Sequence, residues 1–478
     1  MNKIVKNYIY NVLYNILVLL APLVTAPYLA RILGAERLGI YSYVNSTTSI
    51  IVSISIIGLY SYGSRQIAYV RDDSEKLSEE FWNLMGLRCV LCVFGSIVYF
   101  TYAVHTDYFL YFALYYIYYL GIAMDCTWLF VGVEDMKIPT LKNIGAKLIS
   151  IIGIFVFVHN RMDLWKYVLL LASATFLGMV FTYPQIKKYT SVKKPVLKSF
   201  KRNLIGALVL FLPSLVSTIY LQMDKVMIEW LSGDTSQIAF YDQAEKIVMI
   251  PLTFITVLST VLMPRIANEF ANNNKEEINK LLTKACRASL FMAFPLMFGI
   301  AAIANDFIPW YLGAEFVDTA NAIMILSPIV LSNTLVGLSG TQYFIATNQI
   351  KILLISNTLA SVLNIIVNML LIPRFGYVGA AIATVVSNYT LVIVQYTALS
   401  KQLSVGSMFK NTFRYFFASI IMFVIVISIG LIRDSTPITT IIQIFTGMIV
   451  YFISMMAIKD DLSKVLLVQI KKRLKRYE

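Results

Sequence analysis

Histidine occurs only twice in 478 residues and cysteine four times, and Asp plus Glu (26) fall well short of Lys plus Arg (40). His105 and His159 are both expected at helix ends, so neither a metal-ligand cluster nor a Ser/His/Asp arrangement can be assembled around them. No G-x-x-x-x-G-K-[ST] segment exists, which removes the phosphate cradle that nucleotide hydrolysis needs. Cys89 and Cys92 have C-x-x-C spacing, yet they lie on an apolar stretch with no second pair and no nearby histidine. With Cys126 and Cys286 they read as small packing residues. Long polar connections are missing too. None exceeds about twenty residues, the longest being about 63–80, 185–203 and 264–285. A membrane enzyme that polymerises or transfers glycans needs larger external loops than this to build its site. The expectation is a chain without catalytic residues, metal or resident cofactor, with coupling to H+ or Na+ left open.

What the sequence has in abundance is apolar surface. Hydrophobic residues make up 58%, the mean hydropathy is +0.72, and apolar runs of about twenty residues recur from end to end. Each is long enough to cross a ~30 Å hydrocarbon core at about 1.5 Å per residue. Fourteen can be counted, from 8–30 and 38–62 to 413–432 and 439–458. None alternates with period two, which argues against a barrel of the outer-membrane kind. The first run follows Lys3 and Lys6 with no clear cleavage site, so it reads as a retained helix.

Charge sets the expected orientation. With the N-terminus inside, only Arg31, Arg37, Arg161, Lys166, Arg374 and Arg433 fall in external loops, while the basic segment 187–202 and the tail 471–476 fall inside. An even number of spans places both termini in the cytoplasm. The net charge of +14 is then a topogenic signal and a contact for anionic membrane lipids, not a nucleic-acid footprint. The basic linker divides an N-lobe of six helices (1–190) from a second lobe of six (191–400), and 401–478 adds two helices and the tail. Pro22 followed by Tyr41, and Pro213 followed by Tyr241, form a faint echo between the two lobes.

Arg88, Asp125, Lys147, Asp224 and Glu245 each interrupt a stretch that otherwise reads as lipid-spanning helix. A charge in hydrocarbon is costly and usually faces a water-filled path or a partner, so the pattern implies passage of something polar across a membrane. Arg88, Asp125, Lys142 and Lys147 fall in the cytoplasmic part of the first lobe; Asp224, Lys225, Glu229, Asp242, Glu245 and Lys246 fall in the external half of the second. Lys225–Glu229 and Asp242–Lys246 have i,i+4 spacing and can neutralise one another locally. The cations suit phosphate, Arg as a planar fork and Lys as a point charge. Tyr115, Tyr118 and Tyr119 lie about 10 to 16 Å along the fourth run, below the interfacial belt. There they either stack on sugar rings or pack between helices. Asn357, Ser361, Asn364 and Asn368 share one helix face, as do Ser42, Asn45, Ser49 and Ser53. Such stripes either line a hydrated cavity or bond helix to helix at ~1 kcal/mol each.

Four segments resemble a known family. Pro27-Tyr28-x-x-Arg31-x-Leu33-Gly34-x-x-x-x-Gly39-x-Tyr41 resembles the opening signature of bacterial polysaccharide-repeat-unit flippases, the transporters of O-antigen, capsule and teichoic-type units. Their superfamily also contains the lipid II flippase and the multidrug and toxin extruders. Asp125-x-x-Trp128-x-Phe130-x-Gly132-x-Glu134-Asp135-x-Lys137 is similar to the close of their fourth helix. Pro213 to Tyr220-x-x-x-Asp224-Lys225 is similar to their seventh, and Gly376-Tyr377-x-Gly379-Ala380-Ala381-x-Ala383-Thr384 to the turn into their twelfth.

The resemblance implies an all-α integral membrane fold of 14 transmembrane helices: two six-helix lobes around a central cavity plus two C-terminal helices. It implies an alternating-access flippase in the bacterial cytoplasmic membrane. The cargo would be an undecaprenyl-diphosphate-linked oligosaccharide moved from the inner to the outer leaflet for surface polysaccharide assembly. A drug or toxin extruder of the same superfamily is the second expectation, and a glycan polymerase or transferase the third. Arg31, Arg88, Lys142, Lys147, Lys225, Tyr115, Tyr119, Asn357 and Asn364 are the expected contacts to diphosphate and sugar. Asp125, Asp224, Asp242 and Glu245 are the expected gating or ion-coupling groups. A polysaccharide polymerase and glycosyltransferases are expected partners, and no nucleic acid is.

Overall fold

A computed structural model describes residues 3–260, 262–460 and 463. The basic tail 471–476 lies outside the described residues. In chain order the helices are α1 (Lys3–Ile56), α2 (Leu59–Val70), α3 (Ser74–Ala103), α4 (Phe109–Ala123), α5 (Thr127–Gly132), α6 (Lys137–Phe157), α7 (Leu164–Ile186), α8 (Leu197–Ser232) and α9 (Thr235–Thr260). They continue with α10 (Leu262–Ala271), α11 (Lys275–Tyr311), α12 (Val317–Leu326), α13 (Ile329–Val336), a π-helical turn Gly337–Ile345, α14 (Ile350–Phe375), α15 (Tyr377–Ser400), α16 (Val405–Phe409), α17 (Phe413–Ile432) and α18 (Pro437–Ala457). Among the described residues there is no strand. The protein is an all-α membrane protein. Among the described residues nine helical stretches, α4 and α5 counted together, are long and apolar enough to span, and up to twelve spans result when each of three bent pairs is taken as one.

The helices are inverted in polarity relative to those of a soluble protein. On α3, Val93, Phe94, Ile97 and Val98 are more than half exposed, while Arg88, Cys92, Gly95 and Tyr99 are buried on the opposite face. Large apolar side chains meet lipid, and small or polar ones meet protein, because hydrocarbon offers no penalty to leucine and no partner to arginine.

The stretch labelled α1 is two helices that meet at Gly34, a residue with non-helical backbone angles. Gly34 has φ 78°, a conformation that a Cβ would strain. Five residues on, a Cβ at Gly39 would strike the backbone carbonyl of Thr235 at the start of α9. The two glycines of the opening signature therefore serve one turn and one close helix approach.

The chain forms two compact units, the first ending at Ala239 and the second starting at Phe240. In the first, α8 lies against α1, α2 and α3. On the division expected from the basic linker that helix opens the second lobe (191–400); in the structure it packs within the first unit. An inner core of the first unit gathers Phe81, Trp128, Phe130, Ile67, Ile186 and Ala207 from α2, α3, α5, α7 and α8. In the second unit, α14 packs along α15, and α17 and α18 pack on α11. Its core includes Cys286, Leu290, Phe344, Tyr415, Tyr451 and Met455.

Candidate functional site

The fourth apolar run is not one helix. It breaks at residues 124–126, between α4 and α5, where the regular ladder ends with the Met124 amide on the Leu120 carbonyl at 3.0 Å and the Asp125 amide on the Ile122 carbonyl at 3.1 Å. Tertiary partners add to these local bonds. Arg88 on α3 reaches the Ile122 carbonyl from Nη2 at 2.7 Å and the Ile122 and Ala123 carbonyls from Nε at 3.2 Å each. Tyr183 of α7 donates to the Met124 carbonyl at 3.0 Å, and the Trp128 indole to that of Asp125 at 3.0 Å. Asp125 starts the next helix: its Oδ1 accepts from the Thr127 amide at 2.9 Å and hydroxyl at 2.6 Å. Its Oδ2 lies 3.9 Å from Arg88 Nη2.

Arg88 is thus 1% exposed and largely committed to backbone, with only Nη1 making no hydrogen bond. The sequence suggests a phosphate fork; the geometry shows a guanidinium that stabilises a broken span and faces one carboxylate.

Lys142 is different. It projects from α6 at 9% exposure, and its Nζ reaches only the Met179 sulfur of α7, at 3.3 Å. Among the described residues it enters no ion pair. A thioether is a weak acceptor, so this ammonium is buried in a span with little to replace its hydration. Lys147, one and a half turns further along α6, is half-buried. The region thus offers a solvation-starved cation near a broken helix.

The aromatic residues resolve towards packing. Tyr115 and Tyr119 are 2% and 1% exposed. Tyr115 donates to Asn45 Oδ1 at 2.8 Å, and Tyr119 bonds Ser55 at 3.0 Å and the Cys92 carbonyl at 2.9 Å. Tyr41 sits edge-on to Tyr115 and to Tyr167, and Tyr118 stacks on Tyr115 with ring centres 4.9 Å apart. Asn45, Ser49 and Ser53 of the other polar stripe are used likewise, Ser53 bonding Thr218 of α8 at 3.3 Å. Arg31 is exposed beside the Gly34 kink. Asp224 and Lys225 are buried on α8. At the end of that helix Glu229 accepts from Tyr108 at 2.9 Å, and Trp230 donates to Tyr102 at 3.0 Å.

In the second unit, Asp242 and Lys246 close at 2.5 Å across one turn of α9, as their spacing suggests. Glu245 is half-buried on the same helix. On α14, Ser361, Asn364 and Asn368 are buried and Asn357 half-buried. Asn368 donates to Asn364 Oδ1 at 3.1 Å, while Ser361 Oγ and Asn364 Nδ2 find no hydrogen-bond partner among the described residues. One intramembrane charge has no counterpart in the reading of the sequence. Asp306 of α11, 9% exposed, accepts from Gln443 of α18 at 2.6 Å and from Ser435 at 3.4 Å. The signal was available: apolar residues continue past 304 to Tyr311, which puts Asp306 inside a span rather than beyond it.

The sequence pattern of the family described as "Polysaccharide biosynthesis protein" matches residues 4–270, more than half of the chain. The chain belongs to that family. A probable low-salt glycan biosynthesis flippase of Haloferax volcanii is 23% identical over 433 residues, covering 89% of each chain. A putative O-antigen transporter of Escherichia coli K12 is 24% identical over 378 residues, covering 76% of this chain and 88% of its own. Among solved structures, a lipid II flippase in an inward closed conformation superposes with a TM-score of 0.70 at 17% identity, over 96% of this chain and 99% of that one. That last likeness establishes the fold. Gly34, Gly39, the break at Asp125 and the cation Lys142 lie within the matched residues.

Proposed function

We propose that the protein flips an isoprenoid-diphosphate-linked oligosaccharide from the inner to the outer leaflet of the cytoplasmic membrane, by alternating access, for surface polysaccharide assembly. In this reading all fourteen apolar runs span, the two C-terminal ones included, and both termini are cytoplasmic, because the reverse orientation puts the basic segment 187–202 outside. The observation that carries the proposal is Lys142. A buried ammonium that enters no ion pair among the described residues, with the Asp125 carboxylate acting on it only through space, is a receptor for an anion that has lost its water, and a diphosphate fits that need as a drug cation does not. The names of the full-length relatives, a probable glycan flippase and a putative O-antigen transporter, support the glycan half of the cargo.

Lys147 and Lys225 extend the cationic path, Arg31 receives the diphosphate at the outer end, and Asn357 and Asn364 contact sugar hydroxyls. Asp125, Asp224, Asp242 and Glu245 are the groups through which H+ or Na+ would bias the inward–outward equilibrium, by binding one state better than the other. Tyr115 and Tyr119 hold helices together at the edge of this path. Glycosyltransferases supply the lipid-linked unit and a polymerase consumes it.

Ligand-induced stabilisation separates this reading from a drug extruder. Purified protein is expected to gain about 2.7 kcal/mol of stability at a hundredfold excess over Kd of undecaprenyl-diphosphate oligosaccharide. The same glycan on the isoprenoid alcohol should give far less. Stabilisation by a lipophilic drug cation with none by the diphosphate would favour the extruder.

A further inference from the structure

The ten residues between α7 and α8 span the gap between two membrane helices, so they cannot leave the level of the lipid headgroups by more than a short loop's reach. They do not hang free. The Ser191 amide donates to Ser78 Oγ at 3.0 Å, the Val196 amide to Asn83 Oδ1 at 2.6 Å, and the Trp82 indole to the Ser191 carbonyl at 2.9 Å. Pro195 lies so close to Gly86 that a Cβ there would displace it, and Arg202 grips Glu80 at 2.6 Å. Every one of these partners sits on α3.

What this pinned strap presents outward is unusual for a solvent loop. From 187 to 202 there are six lysines, one arginine and no acid. Lys193 faces Glu75 at 3.7 Å, but Lys187, Lys188, Lys194, Lys198 and Lys201 are exposed without an ion pair among the described residues. Between them stand Val192, 84% exposed, Leu197, 77% exposed, and Val196, 45% exposed. In water these apolar side chains would be a cost; in a headgroup layer they insert while the lysines meet phosphate.

We infer that this strap is a fixed docking surface for anionic lipid, seating the first unit on the membrane face independently of any transported substrate. Its partner is the bilayer surface, because exposed Val and Leu alternate with unpaired Lys at headgroup level and its backbone is anchored to α3 rather than free to fold onto a protein.

The test uses the full chain in lipid nanodiscs, with Cys89→Ser to silence the exposed thiol and Val192→Cys carrying a polarity-sensitive fluorophore. Emission is expected to shift blue in discs containing phosphatidylglycerol relative to phosphatidylcholine alone, and the difference should shrink in 1 M salt. Replacing Lys188, Lys194, Lys198 and Lys201 together by Gln should raise the phosphatidylglycerol fraction needed for the half-maximal shift by about tenfold or more, or abolish the shift. These side chains are exposed, so folding should survive, and the salt arm on unaltered lysines reads the same effect independently. Equal emission in both lipids, or a Gln variant that responds as the unaltered strap does, overturns the inference. So does an equal shift produced by soluble polyglutamate in phosphatidylcholine discs, which would assign the strap to an acidic protein.

Discussion

Lys142→Met is expected to abolish flipping while leaving the protein at least as stable as its parent. The ammonium is buried and, among the described residues, bonds only a thioether, so its removal sacrifices no ion pair there, only a through-space attraction to Asp125, and recovers the cost of desolvating a charge. Replacing buried charge by an apolar chain of similar volume is often neutral or stabilising, by roughly 1–4 kcal/mol for ion pairs. If Lys142 receives the diphosphate, the same change removes the charge that replaces the substrate's lost water, and transport should fall by about a hundredfold or more, an interaction of ~3 kcal/mol. Thermal unfolding and flipping, measured on the same preparation, must move apart. A stable variant that flips normally removes Lys142 from the path.

Arg88→Ala should fail in the opposite way, losing stability and transport together. The change strips the Ala123 carbonyl of its Arg88 donor, leaves the Ile122 carbonyl only its local amide donor, and leaves Asp125 facing a cavity without the Arg88 cation. Breaking a buried pair costs roughly 3–5 kcal/mol, and an unserved carbonyl in a span adds to that. Arg88→Lys keeps the charge but not the planar fork that spans two successive carbonyls, so it should recover only part of the loss. Detergent-solubilised protein followed by intrinsic Trp fluorescence reads the unfolding directly. Arg88→Ala melting like the parent would mean that the break is held by Tyr183 and Trp128 alone.

The contrast between these two cations shows what the sequence made legible. Both stand out as charges in apolar runs, and their residue type and depth follow from composition and periodicity. Their roles do not, because roles depend on what the neighbouring helix offers: carbonyls at a break for Arg88, a methionine sulfur for Lys142. The break itself was illegible for the same reason. Residues 108–132 form one apolar run, and the interruption is held by side chains from α3, α5 and α7 that sequence spacing alone does not bring together. Tyr115 and Tyr119 illustrate the same limit; their depth could be counted, but not that Asn45, Ser55 and Cys92 would occupy their hydroxyls. Local spacing did better, since Asp242 and Lys246 meet as i,i+4 neighbours must. The strap 187–202 is the clearest divergence. Its composition reads as a linker, while serine, asparagine and tryptophan from α3 fix it in place and α8 joins the first unit.

The activity proposed for the chain is movement of a diphosphate-linked glycan between leaflets. Proteoliposomes holding the purified protein and a fluorescent undecaprenyl-diphosphate oligosaccharide, challenged from outside with an impermeant quencher or glycan-modifying enzyme, test it directly. Inner-leaflet label is expected to become accessible with the parent protein, to respond to an imposed H+ or Na+ gradient, and to stay protected with Lys142→Met. Label that remains protected with the folded parent protein under every gradient would contradict it.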